Sequence, residues 1–92
     1  MIAPKIHLNG SDGNVLRDQY QAAVTALFDA VTALEAIEIH GRDYYTIVGD
    51  SDAVNKAFDT RRLMVERVNK IRKELFFVLD HIMNQLDERG HR

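Results

Sequence analysis

The sequence predicts an all-α protein: a long antiparallel helical hairpin with a short extended N-terminal segment, oligomerising through its second helix. Three observations predict it. Apolar residues recur at spacings of three and four across two long stretches. Between the stretches lies a short polar, aromatic segment, His40-Gly41-Arg42-Asp43-Tyr44-Tyr45. The single proline, Pro4, lies ahead of both stretches and interrupts neither.

Taken in order, residues 1–11 form an extended arm. Lys5-Ile6-His7-Leu8 alternates polar and apolar side chains, and Asn9-Gly10 is a turn signal. Residues 12–40 are expected as helix 1. Ser11 or Asp12 caps its start by accepting from otherwise unpaired amide N–H groups. Leu16, Tyr20, Ala23, Leu27, Ala30, Leu34 and Ile37 make a coiled-coil-like seam. Val24, Phe28 and Val31 widen that seam on one side, and Gly41 is placed to end the helix in a left-handed conformation.

Residues 41–50 are the connecting loop, within which Tyr45-Thr46-Ile47-Val48 is locally strand-like. Residues 51–89 are expected as helix 2. Asp50 or Ser51 caps it, Asp52 adds negative charge at its positive end, and Gly90 stops it. Its apolar face carries Val54, Phe58, Val65, Val68, Leu75, Leu79, Ile82 and Leu86, with Met64, Ile71 and Val78 alongside. Arg61 and Arg72 interrupt that arc, while Leu63 and Phe77 fall on the opposite, charged face. The run Leu75-Phe76-Phe77-Val78-Leu79 is apolar all the way round. Such a helix is normally buried on every side, and one partner helix cannot cover it. A homo-oligomer built around the C-terminal half of helix 2 follows.

Ninety-two residues make one small domain with a limited core. With no cysteine, neither a disulfide nor a thiolate zinc site is available. The four histidines show no metal-binding spacing, so no metal site and no cofactor is expected. A net charge of −2 gives no global basic field for nucleic acid. No apolar run approaches the roughly 20 residues that span a bilayer, and residues 1–9 lack a signal-peptide pattern. A cytoplasmic protein is expected. No nucleophile, base and orienting group stand at supporting spacings, so no catalytic residue is assigned.

The candidate ligand-binding residues are Arg42, Asp43, Tyr44 and Tyr45, with Asn9, Gly10 and Ser11 and with Arg61. Arginine offers a planar fork for phosphate or carboxylate, and tyrosine offers a stacking face and a hydroxyl. Asn9-Gly10-Ser11 opens onto a helix start and can expose backbone N–H groups to an anion, although the spacing is not that of a P-loop. Each feature has a structural alternative. The tyrosines can plug the end of the hairpin while Arg42 pairs with Asp43, the glycine turn can be only a turn and cap, and Arg61 can form an internal ion pair with Glu35 or Glu38. The basic residues Arg61, Arg62, Arg67, Lys70, Arg72 and Lys73 interleave with Glu66 and Glu74, as on a solvated helix face. At about 1.5 Å per residue, residues 12–40 span about 43 Å. The Asn9-Gly10 turn and the Arg42–Tyr45 loop therefore share a site only if a second protomer lies antiparallel.

The strings Ile6-His7-Leu8-Asn9-Gly10-Ser11, Gln19-Tyr20 and Gly41-Arg42-Asp43-Tyr44-Tyr45 resemble a group of small uncharacterised phage and prophage proteins. Members read His-Leu-Asn-Gly-Thr in the first string, where this chain has Ser11. They often continue Tyr-Tyr-Pro-Gln-Gly, where this chain has Tyr45-Thr46-Ile47-Val48-Gly49. The resemblance carries no activity over. It implies a phage accessory protein acting by binding in the host cytoplasm. Two functions follow as expectations: sequestration of a small anionic, nucleotide-like host immune signal at an inter-subunit site, or a protein–protein module that inhibits a host defence complex or joins the virion.

Overall fold

The computed structural model describes residues 2–7, 10, 12–45 and 51–90, with side chains through residue 88. Two helices, α1 (Gly13–Glu35) and α2 (Ala53–Gly90), pack against each other along their length. A single 3₁₀ turn, η1 (Gly41–Asp43), sits between them, and no strand occurs among the described residues. The molecule measures 66 × 21 × 19 Å. Its radius of gyration is 20.0 Å, against about 12 Å for a compact domain of this length. This is the elongation expected of a two-helix hairpin.

α1 begins where the sequence says it should. Asp12 holds φ −60°, ψ 125°, and its Oδ1 accepts from the Asn14 N–H at 2.8 Å. The other proposed cap, Ser11, lies outside the described residues. The helix ends five residues earlier than residues 12–40 imply. Ala36 closes it in right-handed geometry, and Ala36–His40 leave the helical path. The physical cause is local. The last turn carries no basic residue, and Glu35 and Glu38 place negative charge at the helix's negative end. Ile37 and Ile39 are β-branched and favour extended backbone. Gly41 therefore does not cap α1; it opens η1, and its φ is not left-handed.

α2 starts at Ala53, slightly later than caps at Asp50 or Ser51 imply. The Asp52 carbonyl accepts from the Lys56 N–H at 3.1 Å, and its carboxylate accepts from the Asn55 amide at 2.6 Å. Asp50 and the strand-like Thr46-Ile47-Val48 lie outside the described residues. Gly90 is the last residue of α2 rather than its stop.

The core lies at the C-terminal end of α2. Ile6, Val78 and Ile82 are buried together, with Ala3, Leu16, Tyr20 and Leu86 packed around them. The Gln85 side chain helps fasten the arm there. The Gln85 Oε1 accepts from the Ile6 N–H at 2.7 Å, and its Nε2 donates to the Pro4 carbonyl at 3.0 Å. Gly13 is needed at this end, since a Cβ there would stand 2.8 Å from Leu86 Cδ2 and 3.2 Å from Ile6 Cγ2. The all-apolar run divides. Val78 and Leu79 are buried, whereas Phe76 is 57% and Phe77 48% exposed.

Candidate ligand-binding site

The turn end of the hairpin is built by η1. The Asp43 N–H donates to the His40 carbonyl at 3.0 Å, and the Tyr44 and Tyr45 N–H groups both donate to the Gly41 carbonyl at 2.9 Å. These bonds fix the backbone from which Arg42, Asp43, Tyr44 and Tyr45 project. Tyr44 turns inward, half-buried, into a shallow recess of about 250 Å³ that it lines with Ile37, Ile39, Thr60, Arg61 and Met64 among others. Tyr45 is 78% exposed. Arg42 and Asp43 are exposed, and neither side chain forms a hydrogen bond or ion pair with a described residue. The expected alternative of an Arg42–Asp43 pair is not what the turn forms.

Arg61 answers its burial differently from expectation. Its Nη1 donates to the Ile37 carbonyl at 2.6 Å, and its guanidinium lies 5.3 Å from the centroid of Phe58. It forms no ion pair with Glu35 or Glu38. Glu38 instead lies 3.1 Å from His40 Nε2. The early end of α1 explains this: once residues 36–40 leave the helix, the Ile37 carbonyl is free to accept. A guanidinium has five N–H donors, so this one bond leaves donors to spare. Arg61 also borders a second recess of about 400 Å³ with Glu35 and Phe58.

The glycine turn sits at the other end. Gly10 donates its N–H to the His7 carbonyl at 3.2 Å, which commits that donor within the turn. A Cβ at Gly10 would stand 2.7 Å from the His7 ring. Asn9 and Ser11 lie outside the described residues. Gly13 touches Leu86 while Tyr44 shares its recess with Arg61. Those two levels of α2 are separated by about 38 Å at the helical rise. Within one chain the structure thus brings Tyr44 and Arg61 together, holds Arg42, Asp43 and Tyr45 on the same turn, and keeps Gly10 far away.

The basic face is partly self-neutralised. Arg62 pairs with Glu66 at 3.0 Å and with Asp59 at 3.8 Å. Among the described residues no group of three acidic or histidine side chains is placed to hold a metal ion, and no helix is long and apolar enough to cross a membrane. Two features escaped the sequence reading. One is the Gln85 clasp. The other is a recess of about 350 Å³ between the helices, lined by Val24, Arg72, Lys73 and Phe76, beside which Arg72 lies 5.3 Å from the Phe28 ring centroid. The recurrence of Val24 and Phe28 one turn apart on α1, level with Arg72 and Phe76, was the available signal. No family model matches this chain, and neither a curated protein nor a solved structure does.

Proposed function

We propose that this protein binds and sequesters a small anionic, nucleotide-like ligand at a site shared between subunits of a homo-oligomer, as a phage-type accessory protein would. The observation that carries this is the pairing of Tyr44 and Arg61 in one recess at the turn end, with Arg42 exposed on the neighbouring 3₁₀ turn and unpaired among the described residues. An open recess lined by one cation and one phenol ring, with Arg42 and Tyr45 exposed on the adjoining turn, suits a phosphate joined to a flat ring. Arg42 and Arg61 neutralise charge, the tyrosines stack, and Asp43 accepts from a sugar or base. Asn9, Gly10 and Ser11 of a second copy complete the site. No residue is assigned a catalytic role; the ligand leaves as it came.

A second function is favoured by a different observation. Leu63 and Phe77, on the face of α2 turned from α1, are both more than two-fifths exposed. An inhibitor of a host defence complex, or a virion component, would dock there without any small ligand.

The test is to mix purified protein with cyclic oligonucleotides and ADP-ribose derivatives, then recover ligand after heat denaturation. Intact ligand is expected. Altered product would make the protein an enzyme, and no binding would leave the Leu63/Phe77 face as the functional one. Arg42→Ala is expected to abolish retention; a variant that retains ligand normally would remove the 3₁₀ turn from the site.

A further inference from the structure

α2 carries a second stripe, part apolar and part polar, that α1 covers only in part. Phe58, Val65 and Arg72 recur every seven residues, and Arg62, Asn69, Phe76 and Met83 interleave with them every seven. The combined spacing alternates three and four, the pattern of a coiled-coil seam. Phe58, Phe76 and Met83 are each more than two-fifths exposed. α1 adds Val24, half-buried beside Arg72 and Phe76, and the exposed Phe28 to the same side. Within this stripe the Asn69 Oδ1 is buried without a hydrogen-bond partner. A buried, unpartnered oxygen of this kind calls for an explanation.

We propose that this stripe is the interface with a second copy of the chain, packed antiparallel about a two-fold axis passing between residues 70 and 71 of α2. The area fits. The chain exposes 7088 Å², against about 5,400 Å² for a compact chain of its mass. The excess, about 1,700 Å² per copy and so about 3,400 Å² for two copies, lies in the range that obligate dimers bury, about 2,000–5,000 Å² for the two partners together.

Charge fixes the direction. A parallel pair sets Arg62 against the partner's Arg62 and Arg72 against the partner's Arg72. The antiparallel register sets Arg72 against the partner's Asn69, twice by symmetry. A change of the Asn69 rotamer carries the whole amide outward, where its oxygen accepts from that guanidinium and no N–H donor is left buried in its place. The same register sets Val65 against the partner's Phe76 and Phe58 against the partner's Met83, and brings Arg62, whose guanidinium stays paired with Glu66 and Asp59 on its own helix, to the level of the partner's Leu79. Sliding by one heptad either way sets Arg72 against the partner's Arg62, or leaves Asn69 facing an apolar side chain. At the rim Glu66 meets the partner's Lys73 and Asp59 meets the partner's Asp80, exposed pairs of either sign that count for little.

This interface deepens the inter-subunit proposal, because it lays the turn end of one copy beside the arm end of the other. It stands on its own evidence, however, and the outcomes separate. A dimer that holds no ligand upholds the interface and sinks sequestration; a ligand-binding monomer does the reverse. The native chain has no cysteine, so Phe58→Cys and Met83→Cys can be made singly, mixed, and joined with a short bis-maleimide. Crosslinked dimer is expected only in the mixture. Crosslinking of either variant with itself, or a monomeric mass at micromolar concentration, overturns the proposal. Asn69→Ala, outside the buried cluster of Ile6, Val78 and Ile82, is expected to keep its helicity and weaken dimerisation at least about tenfold. An unchanged dissociation constant would overturn the pairing.

Discussion

The two ends of the hairpin are made of the same helices with the same spacing, yet among the described residues the cluster of buried side chains lies at the arm end. Met64, Ile71 and Val78 stand seven residues apart on one stripe of α2. Val78 is 3% exposed, whereas Met64 and Ile71 are both above two-fifths. The difference is the arm. Ile6 and Ala3 lay a third layer over Val78 and Ile82, and nothing among the described residues does so for Met64 and Ile71. Two helices alone make a seam, and a third element makes a core. The turn end keeps its apolar side chains half open, beside the recess that Tyr44 and Arg61 share.

The largest effect should come from the core. Ile82 is fully buried, and Ile82→Ala is expected to cost about 3 kcal/mol. Met64→Ala is expected to cost about 1 kcal/mol. Urea unfolding at fixed protein concentration measures both; equal costs would break the contrast between the ends. Next comes the clasp. Gln85→Ala removes the partner of both the Ile6 N–H and the Pro4 carbonyl, at a cost of about 2 kcal/mol. Amide exchange at Ile6 should quicken while α1 stays protected, and unchanged exchange would mean that the Gln85 clasp does not hold the arm. The glycines sharpen the comparison further. Gly13→Ala crowds Leu86 and Ile6, whereas Gly41→Ala meets nothing within 4 Å. The first should destabilise by about 1 kcal/mol and the second stabilise by about 0.5 kcal/mol, both read from melting curves. The smallest effect on stability belongs to Arg42→Ala. That exposed side chain should leave the melting curve within about 0.5 kcal/mol of native, so that loss of ligand retention in the variant reports on binding alone.

The sequence was most readable where structure is local. The two helices, their facing seams and the Asp12 cap follow from periodicity and side-chain chemistry. Leu16, Tyr20, Val78, Leu79 and Ile82 were all placed on the packed stripes, and they are buried or half-buried there. Phe58 and Ile37 were placed on the same stripes and are exposed. Periodicity marks which residues share a face, but the area laid over that face comes from elements remote in sequence. The candidate site was readable as a set of residue types and less so as an arrangement. Arg61 was expected to meet a carboxylate because helix 1 was carried through to His40; ending it at Glu35 exposes the Ile37 carbonyl, which the guanidinium takes instead. Gln85 gave no signal, since a glutamine on a helix reads as surface until a backbone is laid against it.

The Gln85 clasp also sets what sequence drift the arm can tolerate. Its two bonds reach an amide N–H and a carbonyl, groups that nearly every residue type supplies. Among the described arm residues Ile6 is the one buried side chain, with Ala3 packed partly buried beside it, while Lys5 is exposed. Selection acting on arm attachment therefore bears on one apolar side chain and on a glutamine some eighty positions away. The residues between Ala3 and Ile6 are left free to diverge.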